Sequence, residues 1–194
     1  EQGLPLTINI QANGNTIANQ INNIASVVGS AIGTSCLTVI GQAVGAGDPD
    51  QCKYYMKRMF LLSYILNGIC SGIILACVPL IVNLFGFAAE AKEVGKHCLY
   101  FCLCFQLVTY PLSFTTPAIL KATSDVKYVM FSAVASMFIM RVGLAFLLTT
   151  DKIAGLPRLG AFGYWIGMCA DWVLRSVLFL ARLLSGKWKK SSGL

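Results

Sequence analysis

The chain has 194 residues, of which 56% are hydrophobic and 12% are charged, whereas soluble domains carry about 25% charged residues. The mean hydropathy of +0.69 also argues against a soluble globular domain. The net charge of +7 does not indicate a nucleic-acid-binding face, because the basic residues occupy short loops and the C-terminal end instead of one soluble surface.

Five long apolar stretches dominate the sequence. Residues 2–47, 59–89 and 97–120 contain no Asp, Glu, Lys or Arg, and each block exceeds the roughly 20 apolar residues that cross a bilayer as a helix. These runs lack the period-two alternation of a membrane β-barrel, so their backbone polar groups must be paired within helices. The sequence predicts an all-α integral membrane protein with spans at about 16–46, 58–86, 97–121, 126–149 and 160–184.

The first span is rich in amides. Asn15, Asn19, Asn22, Ser26 and Ser30 recur at intervals of three and four residues, so they share one face of a helix. Lipid solvates such a stripe poorly. The face therefore meets a water-filled path or forms a hydrogen-bonded seam with other polar helices, and both interpretations stay open.

A glycine-rich corner follows the first span. Glycines within residues 41–47 can end a helix, Asp48 can accept hydrogen bonds from the first N–H groups of the next helix, and Pro49 suits its first position. We expect a tight helix-to-helix corner here.

The third span combines Gln106, Thr109 and Tyr110 with Pro111 and Pro117. Prolines interrupt the helical ladder, and broken helices line cavities in transporters. An amide, an aromatic ring and two prolines at mid-membrane depth favour a site for a bulky amphiphilic ligand. The alternative is that the hydroxyl groups of this span only bind carbonyl groups that the prolines leave free.

Three ionisable residues, Arg141, Asp171 and Arg175, lie deep inside predicted spans. Helix rise places Arg141 and Asp171 both on the order of 12–14 Å below the outer ends of their helices, so they can pair. Asp171 and Arg175 are four residues apart on one helix face. We expect this intramembrane charge network to be a static clamp between two helices, with a proton or ion relay as the alternative.

The basic residues are distributed unequally between the two sides of the membrane. Nine basic residues lie on one side of the membrane, namely Lys53, Lys57, Arg58, Lys121, Lys127, Arg182, Lys187, Lys189 and Lys190. Four lie on the other, namely Lys92, Lys96, Lys152 and Arg158. The positive-inside rule therefore predicts a cytoplasmic C-terminus.

Neither metal chemistry nor catalysis is expected. Seven of the eight cysteines fall inside apolar spans, where cysteine behaves as a small packing residue. Cys98, Cys102 and Cys104 beside His97 do not have the spacing of a structural zinc site. The HExxH, GxSxG and P-loop motifs are all missing from the sequence, so it does not predict an enzyme.

Four segments together resemble the multidrug and toxic compound extrusion (MATE) family. They follow one another in order and cover nearly the whole chain. The segments are the corner 39–48, the stretch 110–117 continued by 120–127, the group Ser136, Met137, Phe138 and Arg141, and the group 163–167, Asp171, Trp172, Arg175 and 186–188.

The resemblance implies helices 8 to 12 of a twelve-helix MATE exporter, with residues 1–194 forming a partial C-terminal lobe. Because the sequence begins with Glu1 and not with Met, we interpret it as a fragment whose partners are helix 7 and the N-terminal lobe. The implied function is a plasma-membrane antiporter. It would export organic cations or other amphiphilic compounds in exchange for Na⁺ or H⁺ and would need no other cofactor.

On this interpretation the substrate path is lined by Asn15, Asn19, Asn22, Ser26, Gln106 and Tyr110. Some family members carry a coupling carboxylate near the position of Tyr110, but this sequence has no acid there, so the resemblance assigns no coupling-ion site. Two alternatives remain, a flippase for lipid-linked substrates from the same superfamily and a non-transporting helical membrane scaffold.

Overall fold

A computed structural model describes residues 3–86, 88–144, 146–147 and 160–188. Six α-helices are described, α1 Gly3–Gly45, α2 Pro49–Leu84, α3 Ala89–Tyr110, α4 Thr116–Ala122, α5 Val126–Ser136 and α6 Gly160–Leu184. Wider π-helical turns, Pro111–Thr115 and Met137–Leu144, join α3 to α4 and extend α5. The described residues include no strand, and the predicted all-α class is confirmed.

Four continuous helical stretches are long and apolar enough to cross a membrane, Ala12–Gly45, Pro49–Leu84, Ala89–Ala122 and Val126–Leu144. Helix α6 has 25 residues and carries three charged side chains, Asp171, Arg175 and Arg182. The chain thus has the helices of a multi-pass membrane protein.

The helices extend further than the predicted spans at their N-terminal ends. Helix α1 begins at Gly3, α2 at Pro49 and α3 at Ala89, whereas the sequence predicted starts at about 16, 58 and 97. Charged residues set the predicted starts of the second and third spans, but a helix tolerates charges where its end projects beyond the lipid. The predicted first span left out about fifteen uncharged polar and apolar residues, most of which belong to α1. The end of the fourth predicted span at 149, the loop residues Lys152 and Arg158, and the C-terminal Lys189 and Lys190 lie outside the described residues.

The corner between α1 and α2 has the expected geometry. Gly47 adopts a positive φ of 70°, which glycine reaches without a steric penalty. The Asp48 carboxylate accepts hydrogen bonds from the backbone N–H groups of Asp50 and Gln51 at 3.0 and 3.1 Å. Pro49 is the first residue of α2, so the cap and the turn fix the direction in which α2 leaves.

Helix α1 contacts α2, α3, α4 and α6. Two apolar clusters hold it in place. The first surrounds Ile17 and Ile21 and includes Leu99 and Trp165, and the second surrounds Ile32 to Ala43 and includes Ile119, Leu120 and Phe179. The polar residues of α1 lie along its length beside these clusters. Helix α1 also contacts the wide turn Pro111–Thr115 between α3 and α4.

Candidate functional site

The wide turn Pro111–Thr115 joins α3 to α4, and we call it the bend. Pro111 has no N–H group, and the turn widens so that the Thr116 N–H bonds the Pro111 carbonyl, five residues back. Side chains of α2 and α6 donate to three carbonyls in the last turn of α3: Asn67 to Gln106 at 3.4 Å, Tyr64 to Val108 at 3.2 Å and Ser176 to Thr109 at 3.5 Å. The bent segment is therefore held from two neighbouring helices.

Tyr110 joins this bend to α1. Its hydroxyl donates to the Ser26 carbonyl at 3.0 Å, and its ring stacks on Phe114 with centroids 4.4 Å apart. The ring lies directly against Gly29, where an added Cβ would stand 2.0 Å from a ring carbon. Glycine at position 29 is thus required for Tyr110 to reach α1, a role that the sequence did not reveal.

A cavity of about 390 Å³ opens beside Tyr110. We call it the amide cavity, and it is lined by Asn19, Asn22, Asn23, Ser26, Val27, Ser30, Tyr110, Phe114, Arg141, Met168 and Trp172. Its walls come from α1, the bend, the wide turn after α5, and α6. Its volume lies within the range of about 300–1,000 Å³ of small-molecule sites.

A second cavity of about 360 Å³ adjoins the first and shares Ser30, Tyr110 and Phe114 with it. We call it the lysine cavity, because Lys121 lines it together with Arg175, Ser113 and Thr34. A larger hollow of about 560 Å³ lies on the outer surface of α3. Phe101, Phe105 and Val108 line that hollow, so its composition is that of a lipid-facing surface.

Four of the six predicted path residues, Asn19, Asn22, Ser26 and Tyr110, line the amide cavity. The other two do not. The Asn15 side-chain oxygen accepts from the Trp165 indole N–H at 2.9 Å and from Asn19 at 3.1 Å, which makes Asn15 part of a helix-to-helix contact.

Gln106 is fully buried and lines neither cavity. Among the described residues its side-chain amide has no hydrogen-bond partner. Gln106 lies on the face of α3 that packs against α2 and therefore not on the cavity side. Its backbone carbonyl accepts from Asn67 of α2, and Asn67 and Ser71 are also fully buried. Gln106 thus belongs to a polar seam between α2 and α3.

Sequence reasoning did not assign Asn23, Phe114, Met168 and Trp172 to the path, although all four line the amide cavity. Asn23 is the neighbour of Asn22 in the predicted stripe, so its amide was the available signal. The others are apolar or aromatic residues, which give no sign in a membrane sequence of whether they face lipid or a cavity.

The predicted charge network is divided between two places. Asp171 is fully buried and accepts hydrogen bonds from Arg175 Nε at 2.9 Å and from the Ser136 hydroxyl. Arg175 also reaches the Ala133 carbonyl at 3.4 Å. This group connects α6 to α5 through Ser136 and Ala133.

Arg141 does not join the clamp. Its guanidinium donates to the Tyr164 hydroxyl at 2.7 Å and to the Met168 sulfur at 3.7 Å, and it lies 5.6 Å from the centre of the Tyr164 ring. The depth estimate assumed regular helices, but Arg141 lies within the wide turn Met137–Leu144. Ser136 occupies the place opposite Asp171, and Arg141 lies further toward the N-terminal end of α6.

A family model described as MatE matches residues 13–147. The chain belongs to the MatE family. The resemblance found in the sequence is therefore confirmed, and the MatE chain belongs to a family of transporters and not of enzymes.

Curated relatives from bacteria and plants agree with this assignment. The chain is 26% identical over 178 residues to a probable multidrug resistance protein NorM of Thermotoga maritima, covering 91% of this chain and 37% of that protein. It is 25% identical over 160 residues to Protein DETOXIFICATION 29 of Arabidopsis thaliana, covering 82% and 29%. The chain thus spans about a third of the length of these relatives.

The fold is similar to that in a crystal structure of the eukaryotic MATE transporter AtDTX14. The TM-score is 0.83 at 15% identity, and the match covers 95% of this chain and 40% of the other. At that identity the similarity describes the fold alone.

Proposed function

We propose that the MatE chain forms part of the C-terminal lobe of a secondary active efflux transporter and supplies one wall of its substrate path. The observation that carries the proposal is the amide cavity, where polar residues of α1 meet Tyr110 and the aromatic residues of the bend and α6. A mixture of amide, hydroxyl and aromatic groups suits amphiphilic compounds, which present both polar and apolar surface.

The proposed transporter exchanges its substrate for Na⁺ or H⁺ in the plasma membrane and keeps its C-terminus in the cytoplasm. The excess of basic residues in the loops on the side of α2's first turn supports this orientation. Helix 7 and the N-terminal lobe complete the path and, with the present chain, form the working protein.

The proposal treats the Asp171–Arg175 pair as a structural clamp and not as the coupling site. Asp171 lines neither cavity, and its contacts with Ser136 and Arg175 tie two helices together. A coupling acid has to exchange its ion with water during each cycle, which a carboxylate enclosed in this way does poorly.

The test is an efflux assay on the full-length transporter that contains this segment. Cells that carry the gene should accumulate less of a fluorescent amphiphile than cells without it, and the double variant Asn19→Leu/Asn22→Leu should abolish the difference. The matched control is Asn83→Leu, an exposed amide in the last turn of α2 that lines neither cavity.

Two outcomes would overturn the proposal. One is equal accumulation of several chemically different amphiphiles with and without the gene. The other is full activity of the double Leu variant, which would place the path elsewhere. A non-transporting scaffold would show the first outcome, and its double Leu variant would keep or gain stability.

A further inference from the structure

Three basic side chains line the two cavities. Arg141 lines the amide cavity, and Lys121 and Arg175 line the lysine cavity. No Asp or Glu is among the described residues that line either cavity. The charged side chains that line these cavities are therefore all basic.

Of the two deep cations, only Arg175 is neutralised. It pairs with Asp171 at 2.9 Å, and that carboxylate is turned toward Ser136 of α5. Asp171 is also the only acid deep within the described helices. The other described acids lie just before a helix or within its first two turns, namely Asp48, Asp50, Glu90, Glu93 and Asp125.

Arg141 has no acidic partner among the described residues. Its described partners are a hydroxyl, a thioether sulfur and an aromatic ring, all of them neutral. A charged side chain at this depth is unfavourable in lipid and is tolerated where it faces a polar cavity and serves a ligand. The Tyr164 and Met168 contacts position the guanidinium at the wall, while its remaining N–H groups are available for further hydrogen bonds.

The groups around Arg141 indicate which ligand fits. Guanidinium binds carboxylate, sulfonate and phosphate oxygens through paired, charge-assisted hydrogen bonds. Aromatic rings line the same cavity, where Phe114 stacks on Tyr110 and meets Trp172 edge to face with centroids 5.8 Å apart. The amides of Asn19, Asn22 and Asn23 provide neutral polar contacts in between.

We propose that the amide cavity selects amphiphiles that carry an anionic group on an aromatic or apolar body, with Arg141 binding the anion. This inference rests on the proposed transport function and narrows its substrate class, since an organic cation at the same place would face an uncompensated guanidinium. The anion can belong to a soluble compound or to a lipid headgroup, because both present the same oxygens.

The test uses the full-length transporter in proteoliposomes under imposed Na⁺ and H⁺ gradients. Three probes are compared: anilinonaphthalene sulfonate as an aromatic anion, ethidium as an aromatic cation, and a fluorescently labelled phosphatidic acid as an anionic lipid. The wild-type protein should move one of the two anions with a KM at least about tenfold below that of ethidium. Which anion is moved distinguishes the soluble source from the lipid source.

The variant Arg141→Gln should raise the KM for the transported anion by roughly ten- to hundredfold, as expected for the loss of hydrogen bonds to a charged group. The same variant should leave ethidium transport unchanged or improved. Arg141→Lys should give an intermediate KM, because it keeps the charge and loses the paired geometry. Arg58→Gln is the matched control, since Arg58 is exposed and lines neither cavity.

The outcomes separate the inference from the proposed function. Preference for ethidium over both anions in the wild-type protein would overturn the substrate class and leave transport standing. If Arg141→Gln left the KM for the anion unchanged, the substrate class would also be overturned while the transport function would stand. Transport of none of the probes under either gradient would overturn the proposed function itself. The KM values of the wild-type protein for the anions and for ethidium test the substrate class even if the Arg141→Gln variant fails to fold.

Discussion

Replacing Asp171 with asparagine should destabilise the protein more than it changes its ion dependence. The carboxylate is fully buried and binds both Arg175 and the Ser136 hydroxyl. The substitution keeps the shape of the side chain but leaves the guanidinium of Arg175 without its counter-charge. Breaking a buried ion pair in this way costs about 3–5 kcal/mol.

The lower end of that range applies here, because 18% of the Arg175 side chain remains exposed and can be partly hydrated. For a unit of 150–250 residues, about 3 kcal/mol corresponds to a fall in Tm of roughly 6–12 °C, and the fall is smaller in the longer full-length protein because its unfolding entropy is larger. The assay is thermal unfolding of the purified full-length transporter, followed by intrinsic tryptophan fluorescence. Glu93→Gln is the control, because it removes an exposed ion pair with Lys96 and should change Tm little.

A double variant makes the test sharper. Asp171→Asn/Arg175→Gln removes both charges, so its Tm should lie above that expected from the sum of the two single variants. The clamp interpretation would be refuted by an Asp171→Asn protein that unfolds at the wild-type temperature. It would also be refuted by a variant that folds normally and loses its response to pH or Na⁺, since that result would assign Asp171 to ion coupling.

Three further predictions concern α1 and the corner that follows it. Gly29→Ala should displace Tyr110 and abolish transport, because the added Cβ would lie 2.0 Å from its ring, whereas Gly33→Ala, with its nearest atom at 3.8 Å, should remain active in the same efflux assay. Asp48→Ala should lower the free energy of unfolding by about 1 kcal/mol in a denaturant titration, while Asp48→Asn should leave it nearly unchanged. In a cysteine-free background, Asn23→Cys should react with a water-soluble maleimide, whereas Ile24→Cys should not, because Ile24 is an apolar residue that lines neither cavity. Equal labelling of the two variants would count against a water-filled cavity.

The helices were predictable from the sequence because their physical causes are local. Residues 59–89 carry no charge because a charged side chain is unfavourable in the bilayer, whatever the rest of the fold. The cap formed by Asp48 and Pro49 depends only on neighbours in the chain. The helix ends were less accurate, since charge patterns locate the edge of the lipid and not the end of hydrogen bonding.

The site was only partly predictable because its geometry depends on distant segments. The period of the amide stripe placed Asn19, Asn22 and Ser26 on one face, but the same period could not show that Asn15 binds Trp165. Arg141 and Asp171 were expected to pair because regular helices were assumed. The wide turn Met137–Leu144 changes the register there, and such a turn has no reliable sequence signal.

The polar face of α1 has a consequence for how the protein is made. Asn15 finds its partner Trp165 150 residues later, and Asn22 contacts Cys102 80 residues later. At synthesis rates of about 5–20 residues per second, Trp165 is made roughly 8–30 s after Asn15. During that interval α1 is a poor lipid-facing helix, because its amides lack the partners that α3 and α6 bring. We expect the newly made α1 to stay beside the insertion machinery until α6 has been made. In that case α6 completes the membrane insertion of α1.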